Sequence, residues 1–149
     1  MSHEQPALDD IRADFEVLDD WEDRYRYVIE LGRALPPLAD ALRTDATKVR
    51  GCASQVWLVS KLVPAGVGGA RRIEFTGDSD AYIVRGLIAI LLAAIRAKSA
   101  DEILATDIAA VFNGLGLKEH LTPQRSNGLA SMIERVKRDA RALQVTTQP

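Results

Sequence analysis

The stretch from Ile83 to Ile95 constrains the fold more than any other part of the chain. Ile83, Val84, Leu87, Ile88, Leu91, Leu92 and Ile95 recur at helical spacing and leave that helix apolar nearly all round. A helix of this kind has to be covered on every side, so it is expected at the centre of a core. Its longest uncharged run, Gly86–Ile95, has ten residues. A membrane span needs about 20, so the run reads as core and no membrane association is expected.

The remaining segments supply a shell for that helix. Leu8, Ile11, Phe15 and Leu18 predict a short first helix. Asp19 or Asp20 is placed to cap a second, whose face carries Tyr25, Val28, Ile29, Gly32 and Leu35 before Pro36-Pro37 stops it. Gln55–Val63 is apolar on both alternating faces, as in a covered strand. Pro64–Ala70 reads as a hairpin loop, and Ile73 and Phe75 alternate with Arg72, Glu74 and Thr76 as in a half-buried strand. A short third strand is expected around Ala46–Arg50, and Asp78, Ser79 or Asp80 is expected to cap the apolar helix. Asp101–Phe112 predicts one or two short helices, ended by Asn113-Gly114. Thr122 and Pro123 open the last helix, whose stripe runs from Leu129 to Leu143, although Asn127-Gly128 conflicts with a helix there. The expected class is α+β, a small antiparallel three-stranded sheet packed against helices. One domain is expected over 1–149, with an ordered core of about 8–144.

Composition excludes several functions. Nineteen Lys and Arg against 21 Asp and Glu give a net charge of −2, which argues against nucleic acid as the main partner. A single cysteine forms no internal disulfide and no Cys-x-x-Cys pair. The polar start, Met1–Asp10, does not resemble a signal peptide, so a cytoplasmic location is expected. One cysteine and two histidines, His3 and His120, cannot make a four-ligand structural zinc site. Gly66, Gly68 and Gly69 precede a strand rather than open a helix, which is a poor match to a phosphate loop.

Cys52 stands out among the residues that remain. It lies between Gly51 and Ala53, with Lys48 and Arg50 nearby. A thiol on a turn flanked by cations is placed to react as a thiolate. A lone cysteine is also an ordinary small buried side chain, and spacing leaves both readings open. A Cys52–His120 dyad is formally available to a stand-alone hydrolase or transferase, against a surface or capping role for His120. Asp78 and Asp80 read as caps rather than an acid–base pair, and Trp21 and Trp57 as core. Arg125 sits in the first turn of the last helix, where the dipole disfavours a cation; that placement suggests an anion nearby.

Several segments together resemble one family. Val49-Arg50-Gly51-Cys52-Ala53-Ser54-Gln55-Val56-Trp57 resembles the cysteine segment of the SufE sulfur acceptors. Trp21–Tyr25, Ile29–Gly32, Leu35–Leu38, Gly77–Leu87 and Leu115–Leu129 follow the same family's order, so the resemblance spans roughly residues 8 to 142. It implies a SufE/NifU (IscU-like) fold. It also implies a sulfur carrier that takes persulfide sulfur from a SufS-type or CsdA-type cysteine desulfurase onto Cys52 and stimulates that enzyme. The sulfur then goes to iron–sulfur cluster assembly on a SufBCD-type scaffold. Arg125 falls on the family's arginine near the cysteine loop. The chain itself is then expected to need no cofactor and no metal, the pyridoxal phosphate belonging to the desulfurase. Ala53 stands where the family usually has Gln, Thr122 where it usually has Ser, and Pro64–Ala70 is longer than usual.

Overall fold

The computed structural model describes residues 6–64 and 71–147, with side chains through residue 144. His3 and most of the expected 64–70 loop lie outside the described residues. The elements run α1 (Leu8–Val17), α2 (Trp21–Ala34), a single 3-10 turn (Asp40–Leu42), β1 (Val56–Val63), β2 (Arg72–Ser79), α3 (Tyr82–Ile95), α4 (Ala100–Ala105), α5 (Ile108–Gly114), α6 (Leu117–His120) and α7 (Pro123–Thr147).

The apolar helix is central, as its sequence requires. Ten of the 14 residues of α3 are buried, and α1, α2, β2, α5 and α7 all pack on it. Its approach to α2 is close because Gly32 and Gly86 face each other. A methyl on either would run into backbone of the other helix. Asp20 caps α2 by accepting from the Asp23 N–H at 2.8 Å, and α2 ends one residue before Leu35. Among the described residues no helix is long and apolar enough to cross a membrane.

β1 and β2 pair antiparallel with Val56 opposite Ser79 and Val63 opposite Arg72. The sheet has two strands, not the expected three. Ala46–Arg50 contributes only an isolated bridge between Lys48 and Trp57, closed by Val49 N–H to Val56 O at 2.8 Å and Leu58 N–H to Thr47 O at 2.9 Å. The segment is caught between two turns. Thr44 closes one by accepting from the Thr47 and Lys48 N–H groups, and Gly51 opens the next. Its outward carbonyls at Ala46 and Lys48 accept instead from the Arg135 guanidinium on α7, at 2.6 and 3.0 Å.

Asp78 is the second correction. It caps no helix; it is fully buried at the end of β2 and binds four donors. These are the Leu38 N–H at 2.9 Å, the Ser79 N–H at 2.7 Å, Arg43 Nη2 at 2.6 Å and Arg85 Nη1. Arg85 also donates to Gly32 O at 2.8 Å and to Leu35 O. One carboxylate thus ties together the end of β2, α3 and the chain that leaves α2. Ser79 Oγ accepts from the Ala81 N–H, and α3 itself has Ala81 at its N-cap without a side-chain bond.

Burial alone would raise the Asp78 pKa, but the N–H groups of Leu38 and Ser79, then Arg43 and Arg85, outweigh it and hold the carboxyl below its usual range. A depressed folded pKa stabilises the protein above the unfolded value and is lost as pH falls through the folded one. Asp78→Asn is therefore expected to lose about 3 kcal/mol in urea unfolding at pH 7, by leaving Arg85 without its carboxylate and Arg43 with only Asp40, 3.9 Å away. The gap from wild type should hold down to about pH 4, the ordinary Asp value, and narrow below it.

Candidate functional site

Cys52 lies on the turn between the short bridge and β1. Both ends of that turn are pinned. Val49 and Val56 are bonded to each other, and the Gln55 N–H donates to Asp80 Oδ1 at 3.1 Å while the Asp80 N–H returns to Gln55 O at 3.3 Å. Between the pins, residues 50–51 form a tight turn, and among the described residues the backbone of residues 50–54 makes no hydrogen bond to a strand or a helix. Gly51 adopts φ +90°, a left-handed conformation open to glycine at little strain. A Cβ there would also lie 2.5 Å from Ser131 Oγ on α7. The turn is held at its ends and loose in its middle, which favours local opening.

The thiol points at α7. Cys52 Sγ donates to the Gly128 carbonyl at 3.6 Å. This contact resolves the conflict noted at Asn127-Gly128. The helix runs unbroken through Gly128, and a Cβ on that residue would lie 3.5 Å from Sγ. The glycine leaves the space beside the sulfur open. That space continues as a cavity of about 20 Å³ lined by Cys52, Ala53, Ser54, Val56, Val84, Leu87, Gln124, Arg125, Gly128, Leu129 and Met132. One water-sized atom needs roughly 10–15 Å³ by this kind of measure. The cavity therefore has room for about one atom beyond Sγ, with walls mostly of aliphatic carbon and the Met132 side chain.

Arg125 is on the same cavity wall. Its N–H is capped by Thr122 Oγ1 at 3.2 Å, so Thr serves where the family usually has Ser. Its guanidinium donates to the Tyr25 hydroxyl on α2 at 2.9 Å and lies 5.9 Å from that ring's centroid. In this state the arginine is held by Tyr25, a partner the sequence pattern did not single out. Burial pushes the Cys52 thiol above its ordinary pKa, with no opposing contribution from a cation. The expectation that Lys48 and Arg50 favour the thiolate is therefore not met in the free protein.

His120 does not line the cavity. Its imidazole stacks on Trp21 with ring centroids 3.7 Å apart and planes at 18°. The Cys52–His120 dyad is not assembled here. Among the described residues no group of three or more His, Cys, Asp or Glu side chains is arranged to hold a metal ion.

The family model of the SufE iron–sulfur metabolism associated domain matches residues 9–140. The chain belongs to the SufE family. It is 56% identical over 135 residues to an uncharacterized SufE-like protein of Rhizobium etli, covering 91% of this chain and 90% of that one. Against a second such protein, from Rhizobium meliloti, the identity is 53% over 134 residues, with 90% and 94% covered. The fold is shared with a hypothetical protein from Thermus thermophilus whose structure was determined in solution. The TM-score is 0.67 at 22% identity, over 93% of this chain and 96% of that one. SufE membership associates the chain with iron–sulfur metabolism. Within it, the turn carrying Cys52 and the start of α7 bring the cysteine, a small, mostly apolar cavity and Arg125 together.

The raised thiol pKa has a direct consequence. Alkylation of Cys52 in the folded protein should follow a pH–rate curve displaced upward from that of the same chain in urea. The two curves would be measured with iodoacetamide and intact mass. Coincident curves would mean that the thiol is already free.

Proposed function

We propose that this protein is a sulfur carrier, with Cys52 as the acceptor of persulfide sulfur from a SufS-type cysteine desulfurase. The observation that carries the reading is the one-atom apolar cavity beside a half-buried thiol on a hinged turn. In the transfer, the Cys52 thiolate attacks the outer sulfur of the donor persulfide. The bond from Cys52 Sγ to that sulfur forms while the donor's S–S bond breaks. The donor cysteine leaves as a thiolate, and the exchange is redox-neutral.

The turn must open for this step. A thiol held against Gly128 with a raised pKa is a poor nucleophile, and opening returns it to water, where a thiolate forms more readily. Closing then draws the new persulfide into the cavity, away from reductants and oxidants. Arg125, released from Tyr25, is positioned on the cavity wall to offset the persulfide anion. Delivery to a SufBCD-type scaffold opens the turn again, so that the acceptor reaches the outer sulfur. Stimulation of the desulfurase follows from clearing its persulfide. Pyridoxal phosphate is needed only by the desulfurase, and a carrier thiol of this kind suits the reducing cytoplasm.

The test is to incubate the protein with the desulfurase, pyridoxal phosphate and cysteine and to weigh it intact. One added sulfur, removed by reductant, is expected on the wild type and on no Cys52→Ser chain. Turnover of a small substrate by the isolated protein would favour the thiol-enzyme alternative instead.

Gly128→Ala separates shelter from folding. The new methyl meets Sγ at ordinary contact distance, and Ala replaces Gly within a helix, so stability should rise by up to about 1 kcal/mol. The same methyl occupies the space for the outer sulfur. The half-life of the Cys52 persulfide in dilute reductant should therefore fall several-fold.

A further inference from the structure

A second hollow adjoins the Cys52 turn. Its volume is about 490 Å³, and it lies between residues 45–50 and α7. Lys48, Arg50, Arg135, Arg138 and Arg141 line it, against the carboxylates of Asp45 and Glu134. Asp139 pairs with Arg135 at 3.2 Å and Arg138 at 3.8 Å, and the cations still outnumber the carboxylates when it is counted. Arg135 is committed to the Ala46 and Lys48 carbonyls. Lys48, Arg50 and Arg141 have no ion pair among the described residues. On a chain of net charge −2, this is a local positive field inside a concave surface, which concentrates an opposite charge.

We propose that this hollow docks an acidic segment on the surface of the protein that donates sulfur to Cys52. The proposal rests on the sulfur-carrier reading and adds the surface by which the donor is recognised. Three features favour an acidic protein segment. The volume is far larger than a single inorganic anion fills. The two wall carboxylates repel the closely spaced phosphates of a nucleic acid but leave room for scattered Asp and Glu. Arg50 is two residues from Cys52, within about 7 Å along the chain, so whatever sits on Arg50 is beside the sulfur to be moved.

The location also links docking to opening. Lys48 and Arg50 lie at the start of the turn, and among the described residues no backbone hydrogen bond ties residues 50–54 to a strand or a helix. A carboxylate drawn to Arg50 acts on the hinge itself, while the far wall, Arg138 and Arg141, stays fixed on α7. Docking at the hollow favours the open turn by the binding energy it gains only there.

The test titrates stimulation of the desulfurase by this protein across a salt series. The half-saturating concentration of wild type is expected to rise with salt. Arg138→Glu with Arg141→Glu should raise it about tenfold at low salt, with the rate at saturation little changed. At about 1 M salt, where charges are screened beyond roughly 3 Å, that difference should largely vanish. Arg12→Glu with Lys118→Glu makes the same change in net charge away from the hollow and should shift the half-saturation less than twofold. Should the doubly reversed chain not fold, Arg138→Gln with Arg141→Gln replaces it, with about a threefold rise expected.

Equal half-saturation in all variants, or an equal rise in the remote pair, would overturn the docking surface. So would binding of a labelled single-stranded RNA that is lost in the Arg138 and Arg141 variant while donor recognition stays intact. Intact mass separates this failure from that of the reading beneath it. If wild type gains no sulfur at saturating donor, the carrier role itself is wrong; if it gains sulfur and the reversed chain matches it throughout the titration, only the surface is wrong.

Discussion

The closure of the Cys52 turn onto the Gly128 face of α7 is the contact on which the functional architecture depends. Two glycines make it possible. Gly51 supplies a left-handed φ that bends the chain beside Ser131, and Gly128 leaves an atom's width beside the thiol. A side chain at Gly51 would be strained at that φ and would force the Ser131 hydroxyl aside. The same closure sets the chemistry. It half-buries the sulfur and raises the pKa of the thiol. A carrier needs that combination, because a thiol fully exposed at all times would lose its cargo to the first reductant it met.

The scaffold behind the turn is rigid where the turn is loose. Asp78 pairs with both Arg43 and Arg85 and accepts two backbone N–H groups at the foot of the hairpin. Asp80, two residues on, holds Gln55 at the base of the cysteine turn. On the other side, Arg135 clasps the bridge segment to α7. The turn is therefore suspended between a hairpin fixed by one ion network and a helix fixed by another. Residues 50–54, whose backbone is bonded to neither among the described residues, are left as the hinge.

Much of this is legible in the sequence, and the gaps have physical reasons. The apolar circumference of residues 83–95 places α3 at the centre because no other position covers it. Thr122-Pro123 and Pro36-Pro37 mark helix ends because proline lacks an N–H and restricts its neighbour. The third strand fails because the two residues between the turns, Lys48 and Val49, cannot build a ladder, and strand propensity does not register that squeeze. Asp78 reads as a cap because Asp near a helix start usually is one. Its actual partners, Arg43 and Arg85, come from different elements, and only the packed chain brings them together. Gly128 is the instructive case. As a glycine inside a helical pattern it weakened the expectation of a helix, yet a glycine there is also the mark of a close approach, and the approaching group is Cys52. The roles proposed for Cys52 and Arg125 rest on the family resemblance. Spacing alone favours a buried structural cysteine slightly.

The claim that a single transferred sulfur rides in the cavity beside Gly128 is open to direct inspection. A crystal structure of the protein loaded by its desulfurase is predicted to show one extra atom bonded to Cys52 Sγ, enclosed by Val84, Leu87 and Met132, with the turn closed over it. An unmodified Cys52 in protein that carries sulfur by mass, or an extra atom directed into solvent, would contradict it.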